Sequence, residues 1–186
     1  MIRLRENKLG TKPNRIGVFL IPKRILDETL AYLRNHGRSN YEGFMCWSGI
    51  IVDDYDALVK SCIYPRLSEL SDYGFLRAEI KLKSVFDIGQ QVYDKQEFLL
   101  AQLHTHAFEA FHSYVDDSFP ISHKPGFISI VVPFFARRKF YNSKTLINCS
   151  VNEYVGGGNW HLLKTDEVRK RFKIVGEEHR NKHDHK

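Results

Sequence analysis

The chemistry in this sequence is concentrated in residues 102–117, Gln-Leu-His-Thr-His-Ala-Phe-Glu-Ala-Phe-His-Ser-Tyr-Val-Asp-Asp. His104 and His106 form a His-x-His pair at the end of an apolar run. In an extended chain, side chains i and i+2 point to one side, so the two imidazoles can converge on one ion. Zinc in a catalytic site takes three protein ligands of nitrogen or oxygen type and keeps a fourth position open for water. A carboxylate from the following loop, Asp116 or Asp117, completes such a set. A His-x-His pair alone is more often surface or satisfied core. The Ser113-x-x-Asp116 spacing downstream is what raises it. His112 beside Ser113 offers the residue types of a base and a nucleophile. Adjacent residues seldom hydrogen-bond productively, however, and the sequence identifies no separate orienting acid, which counts against a serine hydrolase.

These residues need a strand to carry the histidines and a sheet to hold that strand. Phe98 to Leu103 reads as the strand, running directly into His104. Phe127 to Val132 is nearly all apolar, as in a strand buried on both faces. Ile16–Ile21, Phe44–Val52 and Leu58–Tyr64 are further strand candidates, the last two joined by the turn Asp53-Asp54-Tyr55-Asp56. Leu146–Glu153 and Trp160–Leu163 fit a hairpin around Gly156-Gly157-Gly158. That glycine run is a turn and not a phosphate loop, because no Lys-Ser/Thr follows it. Pro22 can open a helix over residues 23–36 with Leu26, Leu30 and Leu33 on one face and Gly37 as its C-terminal cap. Ser84 and Asp87 suggest a capping box ahead of a helical stripe of Val85, Ile88 and Val92. Residues 166–173 suggest a short last helix. The expected class is α/β, one domain with a mixed β-sheet flanked by helices over residues 16–175. Residues 1–15 read as a flexible basic lead-in and 176–186 as a disordered tail.

Composition limits the function classes. The 186 residues are 42% hydrophobic and 27% charged, ordinary values for one globular domain. No apolar run reaches the roughly 20 residues of a membrane helix. The first residues lack the apolar core of a signal peptide, so cytoplasmic residence is expected. Cys46, Cys62 and Cys149 form no CxxC pair and read as reduced, buried thiols in strands. The net charge of +6 permits an acidic partner. The basic residues, however, gather at the ends (Arg3, Arg5, Lys8, Lys12 and Arg15; Arg169, Lys170, Arg171, Lys173, Arg180, Lys182 and Lys186), and read as solvated tails. Neither nucleic acid nor membrane is an expected partner. A zinc deaminase would need His-x-Glu and Pro-Cys-x-x-Cys, and a two-histidine phosphoesterase a second His-x-Thr/Ser; neither pattern is present. His123 reads as solvent-facing, and His179, His183, Asp184 and His185 as a solvated tail. Phe108, Phe111, Tyr114 and Phe119 are either local packing or a wall for an extended substrate.

With His104-Thr105-His106 followed by Ser113-Tyr114-Val115-Asp116, the sequence resembles the JAMM (JAB/MPN) metalloprotease family. Its pattern is an upstream Glu, His-x-His, a spacer and Ser-x-x-Asp. Glu42, in Tyr41-Glu42-Gly43-Phe44 ahead of an apolar strand, matches the upstream acid, and the Gly126–Pro133 strand suits the bacterial branch. The spacer, residues 107–112, is one residue short of the common form, and Ala107 stands where many members have Pro. The Ser-x-x-Asp register favours Asp116 over Asp117 as the third ligand.

The resemblance implies a JAB/MPN-like domain with one zinc ion on His104, His106 and Asp116. It further implies Glu42 as the acid that moves the water's proton, and Ser113 as a donor to the oxyanion or holder of the metal water. It also implies a deubiquitinase-like isopeptidase or peptidase cutting after the C-terminal Gly-Gly of a ubiquitin-like modifier. Partners would be that modifier, its conjugates and E1- and E2-like proteins of the same locus, some such loci serving anti-phage defence. The alternatives are a peptidase that trims a sulfur-carrier protein and a non-catalytic MPN-type binding module.

Overall fold

The computed structural model describes residues 15–53, 55–65, 82–118, 120–137 and 146–176. The lead-in over 1–14, the tail over 177–186 and Phe119 lie outside the described residues. Eight strands form one mixed sheet, in the order β7-β6-β5-β4-β2-β3-β1-β8. They are β1 (Phe19–Pro22), β2 (Phe44–Val52), β3 (Asp56–Ile63), β4 (Phe98–Thr105), β5 (Ile128–Val132), β6 (Ser150–Gly156), β7 (Asn159–Leu162) and β8 (Phe172–Val175). The helices are α1 (Lys23–Arg38), α2 (Leu82–Asp94), α3 (Tyr114–Ser118) and α4 (Thr165–Arg171). The mixed sheet flanked by helices is the class expected from the sequence. Among the described residues no helix is long and apolar enough to cross a membrane.

Side-chain alternation along β2 divides the core. Met45 and Trp47 join Ile25, Leu26, Leu30 and Leu33 of α1, while Phe44 and Cys46 join Ile88 and Val92 of α2. One helix therefore covers each face, as period-2 strands packed between period-3.6 helices require. Trp47 is fully buried, and its indole N–H donates to Thr29 Oγ1 at 2.8 Å, tying α1 to β2.

Several expectations shift. The α2 helix begins at Leu82, so Ser84 lies buried inside it and is no cap. Leu146 to Cys149 is a turn rather than the start of a strand, and Cys149 therefore sits outside the sheet. The chain after α4 forms β8, parallel to β1, where the sequence suggested only a helix. Arg171 belongs to no solvated tail. It is 8% exposed and donates to both Glu153 oxygens, at 2.9 and 3.1 Å, and to the Ile16 carbonyl at 2.9 Å. Arg15 reaches the same carboxylate at 3.2 Å.

Gly37 is a helical residue, not a cap; α1 ends at Arg38, with Ser39 as its C-terminal cap. Its lack of a side chain serves a close approach. A Cβ there would lie 2.7 Å from the Phe135 carbonyl oxygen. Phe134, Phe135 and Ala136 turn in the left-handed region, with φ of 54°, 51° and 54°. That conformation costs L-residues about 1–2 kcal/mol each, so neighbours must hold it. Arg34 Nε does so at the Ala136 carbonyl, at 2.7 Å. Gly37→Ala is expected to lower the unfolding temperature by several °C. Overpacking against backbone costs about 3 kcal/mol, which outweighs the roughly 1 kcal/mol that Ala gains over Gly within a helix. An unchanged or higher unfolding temperature would contradict the close approach.

Candidate metal centre

β4 pairs in parallel with β5, and the connection between two parallel strands must cross over. Here that crossover, residues 106–127, carries the chemistry. His104 pairs with Phe44 and so points to the α2 face of the sheet, followed on the same side by His106 past the strand's end. Their Nε2 atoms lie 3.2 Å apart. Asp116 reaches back from α3, with Oδ1 at 3.0 Å from His104 Nε2 and Oδ2 at 3.7 Å from His106 Nε2. Only 5%, 12% and 15% of the three side chains is exposed.

These spacings suit a cation. Tetrahedral zinc with bonds of about 2.0–2.1 Å places its ligand atoms about 3.3 Å apart. Within the described residues, His104, His106 and Asp116 form the one group of three such ligands whose donor atoms converge. The protonation states also fit. Burial, then the neighbouring His104, lowers the His106 pKa to about 4, which keeps the imidazole neutral and able to ligate. Burial works against ionising Asp116. Hydrogen bonds from His104 and Ser113 more than offset it and hold the carboxyl well below its usual range.

The Ser-x-x-Asp spacing has a local cause. Asp116 N–H donates to Ser113 Oγ at 3.3 Å, and Ser113 N–H donates to Asp116 Oδ2 at 2.7 Å. This is a capping box at the start of α3, so the same two residues that nucleate the turn present the carboxylate. Asp117 faces away from the histidines and accepts from His112 Nδ1 at 2.7 Å. The separate acid that the sequence did not identify for His112 is thus Asp117. Burial lowers the His112 pKa, against the opposing hydrogen bond to Asp117. On its other side the His112 ring packs against Trp160 of β7, centroids 4.6 Å apart.

Glu42 is half-buried at the head of β2. The next residue, Gly43, is bolted to β4, the strand that carries His104. Gly43 N–H donates to Thr105 Oγ1 at 2.9 Å, and Thr105 N–H donates to the Gly43 carbonyl at 3.0 Å. Thr105 lies between the two histidines and faces the opposite side of the sheet. It therefore anchors Glu42's strand without entering the site. Beyond β4 the chain is held by His106 N–H to the Val132 carbonyl at 3.0 Å and Phe135 N–H to the His106 carbonyl at 2.8 Å. Gln102, two residues before His104 on the same face, donates to Ser129 Oγ at 3.1 Å and accepts from Ile121 N–H at 3.1 Å, fastening the far end of the loop. Gln102, Thr105 and Trp160 escaped the sequence reading as site residues. The first two were recoverable from strand alternation; nothing local marked Trp160.

No family model matches the chain. It is 28% identical, over 120 residues, to a Sinorhizobium fredii (strain NBRC 101917 / NGR234) protein named a probable metalloprotease, covering 64% of this chain and 74% of that one. The JAMM resemblance read from His104, His106 and Asp116 accords with that relative. A Desulfitobacterium hafniense protein solved in solution shares the fold, with a TM-score of 0.59 at 14% identity over 87% of this chain and 97% of that chain. A crystal structure of a JAB1/MPN domain protein from Archaeoglobus fulgidus superposes with a TM-score of 0.42 at 14% identity, covering 79% and 96% of the two chains.

Thr105→Val removes the acceptor for a buried Gly43 N–H at nearly constant shape. The expected cost is about 1–3 kcal/mol, read as a lower urea midpoint at unchanged slope. Thr105→Ser, which keeps the hydroxyl, recovers part of it. Equal midpoints for Val and wild type would remove Thr105 as the anchor.

Proposed function

We propose that the protein is a JAMM-type zinc peptidase that cleaves after the C-terminal Gly-Gly of a ubiquitin-like modifier, in deconjugation or precursor processing. The observation that carries the hydrolase part is the convergence of His104 Nε2, His106 Nε2 and an Asp116 carboxylate on largely buried side chains. Similarity to a probable metalloprotease supports it. One zinc ion on these three residues would polarise a carbonyl and lower the pKa of water there. Glu42 is the group assigned to take the attacking water's proton and deliver it to the leaving amine. Ser113 Oγ accepts the Asp116 N–H and keeps its own hydrogen, which it can donate to a developing oxyanion.

The surface around the three ligands supports an extended peptide as ligand. Phe108, Phe111 and Tyr114 on the metal loop are 73%, 56% and 82% exposed, a costly arrangement for three large rings unless something covers them. Phe111 stands edge-on to His106, centroids 4.8 Å apart. If these rings line a narrow approach to the ligands, it would favour residues without side chains at the cut, which a Gly-Gly tail supplies. E1- and E2-like partners and a role in anti-phage defence extend the same reading through the family resemblance, and cytoplasmic residence is proposed with it.

Purified protein is expected to hold one equivalent of zinc by elemental analysis, and His104→Ala with His106→Ala to hold none. Glu42→Gln is expected to keep the zinc and lose about 10²–10⁴-fold in cleavage rate; loss of zinc with activity would make Glu42 a ligand or a folding residue. A panel of modifier fusions differing in the last two residues tests the substrate. Gly-Gly should be cut fastest, and equal rates for Ala-Ala would contradict the narrow approach. Cleavage of sulfur-carrier fusions alone would move the assignment to that processing role. Zinc binding with no cleavage of any fusion would move it to a binding module.

A further inference from the structure

The capping box at the start of α3 has a second layer. In such boxes the residue before the cap and the residue after the box's acid are usually apolar and pack together, fixing the angle at which the chain enters the helix. Here those positions hold His112 and Asp117, which meet through Nδ1 and Oδ1 at 2.7 Å. The His112 side chain is 7% exposed, with Trp160 against its ring. Its Nε2 has no hydrogen-bond partner among the described residues. An apolar pair would fill this place without burying an unpartnered nitrogen, so the imidazole is a costly choice on stability grounds alone. What it adds is direction. A short N–H to carboxylate bond fixes the rotation of the helical turn, where a greasy contact would let it roll. Asp116, adjacent to Asp117 on that turn, must keep its oxygens within 3.0 and 3.7 Å of two imidazoles.

We propose that His112 is a positioning residue for the metal centre: with Asp117 and Trp160 it forms a polar staple that sets the rotation of the first turn of α3, and so holds Asp116 at the two histidines and Ser113 beside them. Its Nδ1 is committed to Asp117 and its ring lies under Trp160, which removes it from service as a base for Ser113. The proposal rests on the metal-site reading above.

Two substitutions separate its parts. His112→Phe keeps a ring against Trp160 and loses the bond to Asp117. His112→Asn keeps a short N–H donor for Asp117 and loses the ring. The readouts are zinc affinity by competition with a chromophoric chelator, the visible spectrum of the cobalt-substituted protein, and thermal unfolding of the metal-free protein. The Phe variant is expected to unfold at or above the wild-type temperature when metal-free, yet to bind zinc about 10–100-fold more weakly, with a changed cobalt spectrum. The Asn variant should recover most of the affinity and the wild-type spectrum. A Phe variant that binds zinc as tightly as wild type, or an Asn variant as weak as Phe, would overturn the proposal. So would a metal-free Phe variant that is unfolded, since His112 would then serve folding alone. A wild-type protein that binds neither zinc nor cobalt would overturn the metal-site reading itself, and the staple with it.

Discussion

A carboxylate drawn between two buried imidazole nitrogens sets the terms for the rest of this structure. Taking Asp116 out of water costs several kcal/mol unless its charge is matched. Hydrogen bonds from His104 and Ser113 offset that burial, and a cation shared by all three donors would add to the match. The surrounding interactions serve to keep those donors together before any cation arrives. The Thr105–Gly43 bonds hold the two central strands in register at the site, and Gln102 holds the end of the crossover. The capping box turns a five-residue helix into a fixed mount for one side chain.

Preorganisation of this kind is stored partly as strain. Three consecutive left-handed residues after β5 carry a conformational cost of about 3–6 kcal/mol together. Backbone bonds to Phe108 and His106 on one side, and Arg34 and Gly37 on the other, hold them there. The same turn thus joins the end of β4 to the end of α1, the helix from which the chain leads through Glu42 into β2. A disturbance at Gly37 would therefore reach both walls of the site without touching a ligand.

Elements with strong periodicity were legible in the sequence, and those made by tertiary contact were not. The alternation of β2, the apolar run of β5 and the leucine stripe of α1 each bury a face that their own residues define. Gly37 read as a cap because a glycine at a helix end usually is one, but here close packing against Phe135 decides its identity. Arg171 read as part of a charged tail because its partner Glu153 is distant in sequence. At the site, His104 and His106 were legible through strand alternation, and Ser113 and Asp116 through a spacing that a capping box explains. The Ser-x-x-Asp register favoured Asp116 over Asp117, and the helix supplies the geometric reason: neighbouring positions on a helical turn point in different directions, one to the histidines and one to His112. Trp160 belongs to a hairpin whose only local signal is its glycine turn, so its place under the metal loop could not be read from spacing.

On the proposed function, His104, His106 and Asp116 share one zinc ion. X-ray absorption at the zinc edge of the zinc-loaded wild-type protein tests it most directly. The account predicts a shell of nitrogen and oxygen atoms at about 2.0–2.1 Å with the outer-shell pattern of two imidazoles, lost when His104 and His106 are both replaced by Ala. A sulfur scatterer at about 2.3 Å, or an unchanged spectrum in the double variant, would contradict it.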